Sequence, residues 1–182
     1  MSTRQSATAL SLLTLLSGCA ASPLDEFERV LAAQDSATAA LGEWCRIHGI
    51  AQLPAIRAER LGGAPEASAD VRRLLAVSAT EPLAYRHVRL TCGTAVLSEA
   101  DNWYVPGRLT PEMNHLLAET DTPFGSVVAP LGFHRERLAE QRGRTRDCPP
   151  DTILRHRALL RLPDGTPLSL VTECYTDANL VS

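Results

Sequence analysis

The segment ILRHRALLRLPDGTPLSLVTECY, which spans residues 153–175, has the composition of two β-strands around a turn. At its centre, Asp164-Gly165 is a strong signal for a hairpin turn, because it lies between two strand-like apolar runs. Folding the chain about this turn determines which residues of the two strands face each other. The expected pairs are Leu160 with Ser169, Ala158 with Val171, and His156 with Glu173. We therefore expect an antiparallel hairpin near the C-terminus.

Glu173 is the residue of this hairpin that most suggests a function. The run from Pro167 to Tyr175 has apolar residues at both strand parities, so this strand is expected to be buried on both faces. A carboxylate in such a place is costly unless something compensates it, and its acidity can be tuned for chemistry. His156 is expected either to orient or charge-balance Glu173 or to form an ordinary cross-strand pair with it.

A second buried charge is expected in the strand-like run from Leu83 to Cys92. Arg86 shares its strand parity with the apolar Val88 and Leu90, whereas Arg89 belongs to the polar parity. A buried guanidinium needs an anion. That anion could be Glu173, in a structural pair, or the carboxylate of a ligand, which the planar guanidinium fork suits in bidentate fashion.

The order of elements predicts an α+β fold. Hairpins dominate and βαβ alternation is absent, so we expect an antiparallel sheet with helices covering one side. Strands are predicted over residues 50–61, 83–91, 95–105, 133–140 and in the terminal hairpin. Helices are predicted over residues 22–47 and 69–77 and from residues 110 and 122. The run Asp35-Ser36-Ala37-Thr38 interrupts the first helical pattern, which suggests a break or a close approach to another segment.

Size and charge indicate the class of protein. The 182 residues suit one domain, and the net charge of -3 with a pI of about 5.9 argues against nucleic-acid binding. The cluster of arginines from Arg135 to Arg146 is interspersed with acidic residues, so it is interpreted as a solvated face or loop. The five histidines are scattered and no metal-binding motif occurs, so no metal site is predicted.

The N-terminus resembles a bacterial lipoprotein signal. The apolar run from Ala7 to Leu16 is too short to span a membrane, and it ends in Leu16-Ser17-Gly18-Cys19, which is similar to a lipobox. This resemblance implies a signal peptide over residues 1–18, a lipid anchor on Cys19 and a periplasmic domain over residues 19–182. The alternative is an N-terminal helix or a misassigned start, with a cytoplasmic protein. Export would permit disulfides among the other four cysteines, whose pairing stays open.

Several short runs, taken in order, resemble the chorismate pyruvate-lyase family, whose enzymes release pyruvate from chorismate to make 4-hydroxybenzoate for ubiquinone biosynthesis. The similarity covers about residues 24–177. The matching runs are Asp35-Ser36-Ala37-Thr38, Tyr85 to Leu90 with Arg86, Val105-Pro106, Thr122-Pro123-Phe124-Gly125, and the terminal hairpin with Thr172-Glu173.

This resemblance implies a sheet of about six strands and an internal ligand pocket that helical flaps close. It also implies that Arg86 holds the carboxylate of a small aromatic or cyclohexadienyl acid and that Ala37 and Phe124 line the pocket. Glu173 would act at the ether or phenol oxygen, with His156 beside it. Catalysis by Glu173 and Arg86 would need no cofactor, because aromatisation supplies the driving force. A monomer attached to the membrane only through Cys19 is expected.

The chain also departs from the family pattern. Ala37 replaces a methionine and Phe124 a leucine, so the pocket volume is expected to differ. Glu99, Asp101 and Trp103 share one strand parity, where they form either a pocket wall or an exposed edge. Export conflicts with chorismate, which is made in the cytoplasm. Two alternatives to the lyase therefore stay open: a non-catalytic periplasmic lipoprotein that binds small aromatic acids, and a structural envelope protein with a vestigial pocket.

Overall fold

The computed structural model describes residues 21–63 and 65–181, which form a six-stranded antiparallel sheet with helices packed on it. The predicted α+β fold class is confirmed. The strands are β1 Ile56–Leu61, β2 Ala84–Cys92, β3 Ala95–Tyr104, β4 His134–Arg142, β5 Thr152–Arg161 and β6 Pro167–Thr176. Their order in the sheet is β1-β2-β3-β6-β5-β4, so β3 and β6 are the two central strands.

Five α-helices accompany the sheet in the described part of the chain. They are α1 Pro23–Ala32, α2 Ala37–Ile47, α3 Ala69–Leu74, α4 Pro111–Glu119 and α5 Phe124–Val128. Short 3-10 helices lie at Pro106–Arg108, Ala129–Leu131 and Asp177–Asn179. Ser22, Ser36 and Thr110 each accept a hydrogen bond from a backbone N–H of the first helical turn, which satisfies a donor that the helix itself leaves free.

Two predicted boundaries need correction. The helix expected over residues 22–47 is two helices, because Ser36 caps α2 and so starts a new helix after the interruption. The strand expected from Ile50 begins only at Ile56. Pro54 lies between these two positions, and a proline lacks the N–H that a sheet ladder requires.

The register of the terminal hairpin is confirmed. His156 pairs with Glu173, and the two other expected pairs of β5 and β6 also face each other. The turn and the alternation of strand side chains act together here, because a slip of one residue would move every side chain to the opposite face. One face of β6 therefore carries Ser169, Val171, Glu173 and Tyr175 towards the helices.

Two apolar clusters lie on the helix-covered face of the sheet. In the first, Phe27 and Trp44 of α1 and α2 pack against Tyr175 of β6. In the second, residues of α4 and α5 such as Val128 pack around Tyr104 of β3. Helix α3 lies on the opposite face, where its residues pack against Leu159 and Leu170. Burial of these side chains is the main favourable term in folding.

Two disulfides connect the secondary-structure elements. Cys45 of α2 is bonded to Cys92 at the end of β2, and Cys148 of the β4–β5 loop is bonded to Cys174 of β6. No helix within the described residues is long and apolar enough to cross a membrane. The predicted signal peptide and Cys19 lie outside the described residues.

Candidate functional site

A small cavity lies on the helix-covered face of the sheet, between the two apolar clusters. Its volume is about 50 Å³. The segment Asp35–Thr38 closes it from one side and the start of α5, Phe124 and Gly125, from another. Strands β2, β3, β4 and β6 contribute Arg86, Asn102, Arg135 and Glu173 to the lining, and the Asp35–Thr38 segment adds further polar side chains.

Four of the predicted site residues line this one cavity. Arg86 and Glu173 come from β2 and β6, whereas Ala37 and Phe124 come from α2 and α5. The structure therefore brings together residues that are far apart in sequence. The fifth, His156, is buried and is not among the residues that line the cavity.

Gly125 lets the two closing segments approach each other. A Cβ atom at this position would lie 2.9 Å from the Thr38 hydroxyl oxygen and would also collide with Ser36. Contacts this short would force the Ser36 and Thr38 side chains to move, so glycine suits the observed closure. The interruption between α1 and α2 thus makes the close approach that its small residues suggested.

Arg86 is a buried guanidinium without a carboxylate partner among the described residues. Arg86 as a whole is only 8% exposed. Both Nη atoms lie 3.4 Å from the carbonyl oxygen of Thr122, and its Nε–H has no acceptor in the described structure. Burial, reinforced by the charge of nearby Arg60, lowers the pKa of Arg86 from its ordinary value. A buried cation with a free donor edge is suited to receive an anion.

Asn102 is the cross-strand neighbour of Arg86 and was not identified from the sequence. It is 5% exposed and lies in register with Arg86 in the β2–β3 ladder. Its Oδ1 accepts a hydrogen bond from the Ser169 hydroxyl. Its Nδ2 has no acceptor within the described residues. The alternation of β3 could have predicted that Asn102 is buried, because Asn102 shares its strand parity with Ala100 and Tyr104.

The acidic end of the cavity is neutralised by Arg135. The Nη2 of Arg135 is in close contact with Glu173 Oε2, and its Nη1 lies 3.4 Å from Oε1. The Tyr175 hydroxyl donates to Oε2 at 3.1 Å. Burial opposes the charge of Arg135, but the carboxylate of Glu173 outweighs it and holds the pKa of Arg135 above its ordinary value.

This pair corrects two expectations. Arg135 does not belong to a solvated face, because its side chain is 9% exposed. The structural pair proposed for Arg86 and Glu173 is also absent, since Arg135 takes that place. In addition, the backbone N–H of Arg135 donates to Asp35 at 2.9 Å, which ties β4 to the segment that closes the cavity.

His156 lies beyond Tyr175, outside the cavity. Its ring packs edge-on against the Tyr175 ring, with centroids 5.3 Å apart. Burial lowers the pKa of His156, although the nearby carboxylate of Glu173 opposes this effect. Its Nε2 lies 3.1 Å from a carboxylate oxygen of Glu140, but the two are not aligned for a hydrogen bond.

The polar residues of β3 lie on the opposite face of the sheet. Because β3 is a central strand, the exposed edge, one of the two alternatives for Glu99, Asp101 and Trp103, is wrong. Asp101 accepts a hydrogen bond from the Tyr85 hydroxyl, and Trp103 packs against the Tyr85 ring with centroids 4.8 Å apart. These residues do not reach the cavity that contains Arg86.

The chemistry that this site can perform follows from its groups. Within residues 21–63 and 65–181, no group of three or more His, Cys, Asp and Glu side chains could hold a metal ion. The cavity offers two free donors at the Arg86 end and an ion pair at the other end. It can therefore bind an acceptor-rich anion, whereas its carboxylate already has a counterion.

Comparison with known proteins gives one close relative. No family model matches the chain. The uncharacterized protein y4mC of Sinorhizobium fredii is 43% identical over 162 residues, and the match covers 78% of this chain and 68% of that protein. This similarity is high enough to establish a common family.

Solved structures share the fold at low identity. The crystal structure of PhnF from Mycobacterium smegmatis has a TM-score of 0.53 and 13% identity, and the match covers 79% of this chain and 64% of that chain. The effector domain of the same protein has a TM-score of 0.51 and 14% identity, with 78% and 88% covered. The shared architecture is a chorismate-lyase-like fold, in agreement with the fold expected from the resemblance.

Proposed function

The chain belongs to the family of the uncharacterized protein y4mC of Sinorhizobium fredii, and we propose that it binds a small carboxylic acid without converting it. One observation carries this proposal: Arg86 is buried in the cavity wall, its Nε–H has no acceptor, and no carboxylate of the described residues forms an ion pair with it. A buried charge without a partner is expensive. A ligand carboxylate would supply that partner through paired, charge-assisted hydrogen bonds.

The opposite end of the cavity supports binding rather than catalysis. A lyase that protonates a departing group needs a carboxylic acid with a proton to give. Glu173 instead accepts hydrogen bonds from Arg135 and Tyr175, so its carboxylate is already paired with a cation. The fold is neutral on this question, since it is shared with a protein described as an effector domain.

Chorismate pyruvate-lyase activity is the second candidate function. It is favoured by one observation, namely that Arg86 and Glu173 line the same cavity, as the resemblance implies. In that case, Glu173 would have to leave Arg135 when substrate binds. The product would be 4-hydroxybenzoate, formed together with an equal amount of pyruvate.

Residues 20–182, purified without lipid, would test both candidates. We expect saturable binding of small carboxylic acids by calorimetry or NMR titration, and no release of pyruvate from chorismate. A folded protein that binds none of the acids would contradict the binding proposal. Formation of pyruvate and 4-hydroxybenzoate in equal amounts would replace it with the lyase.

We also propose that the protein is exported and anchored through Cys19. The two disulfides support this location, because disulfides persist mainly in oxidising compartments such as the periplasm. Labelled palmitate should enter the wild-type protein and not the Cys19→Ala variant. Equal labelling of both proteins, or of neither, would refute the anchor.

A further inference from the structure

We infer that the ligand is a short-chain carboxylic acid with a second oxygen on the carbon next to the carboxylate, and that Asn102 holds this oxygen. This inference rests on the proposed binding function, and it adds a second recognition residue and a narrower ligand class. It starts from two buried donors that lack acceptors in the described structure, Arg86 Nε and Asn102 Nδ2.

The two donors belong to adjacent residues on the same face of the sheet. Arg86 and Asn102 are directly opposite each other in the antiparallel β2–β3 pair. The Cβ atoms of such pairs lie about 4.5–5.5 Å apart. Nε is the nitrogen of the guanidinium that lies closest to the backbone, and both Arg86 and Asn102 line the cavity.

Each of the two side chains is oriented by a contact that leaves one donor free. The Nη atoms of Arg86 are directed to the carbonyl oxygen of Thr122. The Ser169 hydroxyl donates to Oδ1 of Asn102, so the amide nitrogen is left for another acceptor. A buried donor without an acceptor is destabilising, and a ligand oxygen would remove this cost.

These positions define where the ligand needs its oxygens. A carboxylate at the free edge of Arg86 satisfies Nε, and a hydroxyl or oxo group on the neighbouring carbon lies beside it, within the span of the two side chains. Acids of this kind are 2-hydroxy and 2-oxo acids. Val88, Ala100 and Val171 of the cavity wall leave an apolar place for a short alkyl group.

The volume of the cavity limits the length of the acid. The cavity measures about 50 Å³. An enclosed apolar cavity of about 150 Å³ is known to hold benzene, so we expect an aromatic ring to fit this cavity less well than a short alkyl group. Gly125 lies close to Ser36 and Thr38, so the segments that close the cavity are already near each other.

Lactate and propionate form a matched pair for the test, because they differ only by the 2-hydroxyl group. We expect the wild-type protein to bind one enantiomer of lactate about tenfold more tightly than propionate, which is the effect of one satisfied buried donor. In the Asn102→Leu variant, the two acids should bind equally. Mandelate, which adds a phenyl ring to a 2-hydroxy acid, should bind the wild type at least about tenfold more weakly than lactate.

The control variant is Ser98→Ala, which removes a buried hydroxyl that also lacks a partner and lies on the same strand outside the cavity lining. It should keep the preference for lactate. Equal binding of lactate and propionate by the wild type would overturn the role of Asn102, even if the leucine variant did not fold. Tighter binding of mandelate would overturn the size limit. Failure of every acid to bind would instead refute the proposed function itself.

Discussion

Replacement of Glu173 by glutamine is expected to lower the free energy of unfolding by about 3–5 kcal/mol. The side chains of Glu173 and Arg135 are only 7% and 9% exposed. Removing the carboxylate would leave the Arg135 guanidinium buried without its counterion, and the desolvation of that charge would no longer be compensated. Urea denaturation followed by circular dichroism would measure the change.

A double replacement shows whether the loss of stability comes from the missing ion pair or from the charge that is left unpaired. In Arg135→Met combined with Glu173→Leu, neither charge of this pair is left buried, so stability should return to the wild-type value or exceed it. The exposed pair of Glu43 and Arg46 provides the control, and Glu43→Gln should change stability little. If Glu173→Gln were as mild as Glu43→Gln, Glu173 and Arg135 would not form a buried pair in solution, and Glu173 would again be available as an acid.

Loss of either disulfide is expected to destabilise the protein by about 3–4 kcal/mol. The bonded cysteines are 47 residues apart for Cys45–Cys92 and 26 residues apart for Cys148–Cys174. Closing loops of these lengths restricts the unfolded chain, and that restriction disappears when both cysteines of a pair are replaced by alanine. The effect should be somewhat larger for the longer loop.

Mass spectrometry after alkylation in denaturant would first establish that the wild type has no free thiol among these four cysteines. Denaturation of the two double-alanine variants would then give the stability losses. Reductant should destabilise the wild type, and it should have no effect on a variant that lacks both pairs. Full alkylation of the native, non-reduced protein would contradict the assigned pairing.

The sequence was sufficient where local patterns determine the structure. The Asp164-Gly165 turn and the alternation of β6 predicted that His156 faces Glu173, because a hairpin register depends on the turn and on side-chain parity. The alternation of β2 likewise predicted burial of Arg86. The α+β class followed from the hairpins, and the capped helix starts at Ser22 and Thr110 followed from their side chains.

The sequence failed where a contact crosses several strands. Almost all of β4 is exposed, so its alternating charges gave no sign that Arg135 alone reaches inward to Glu173. The two residues are 38 positions apart, and β5 lies between their strands. The disulfide pairing could not be predicted from the sequence either, because four cysteines allow three arrangements and only the fold selects one.

The central claim is that Arg86 is the receptor for a ligand carboxylate, and a comparison of Arg86→Met with Arg89→Met tests it most directly. Both arginines are on β2, but Arg89 is on the opposite face, where it contacts Glu99. We predict that Arg86→Met weakens the binding of lactate and propionate by about 30-fold or more, while Arg89→Met binds like the wild type. Undiminished binding of both acids by a folded Arg86→Met protein would contradict the account.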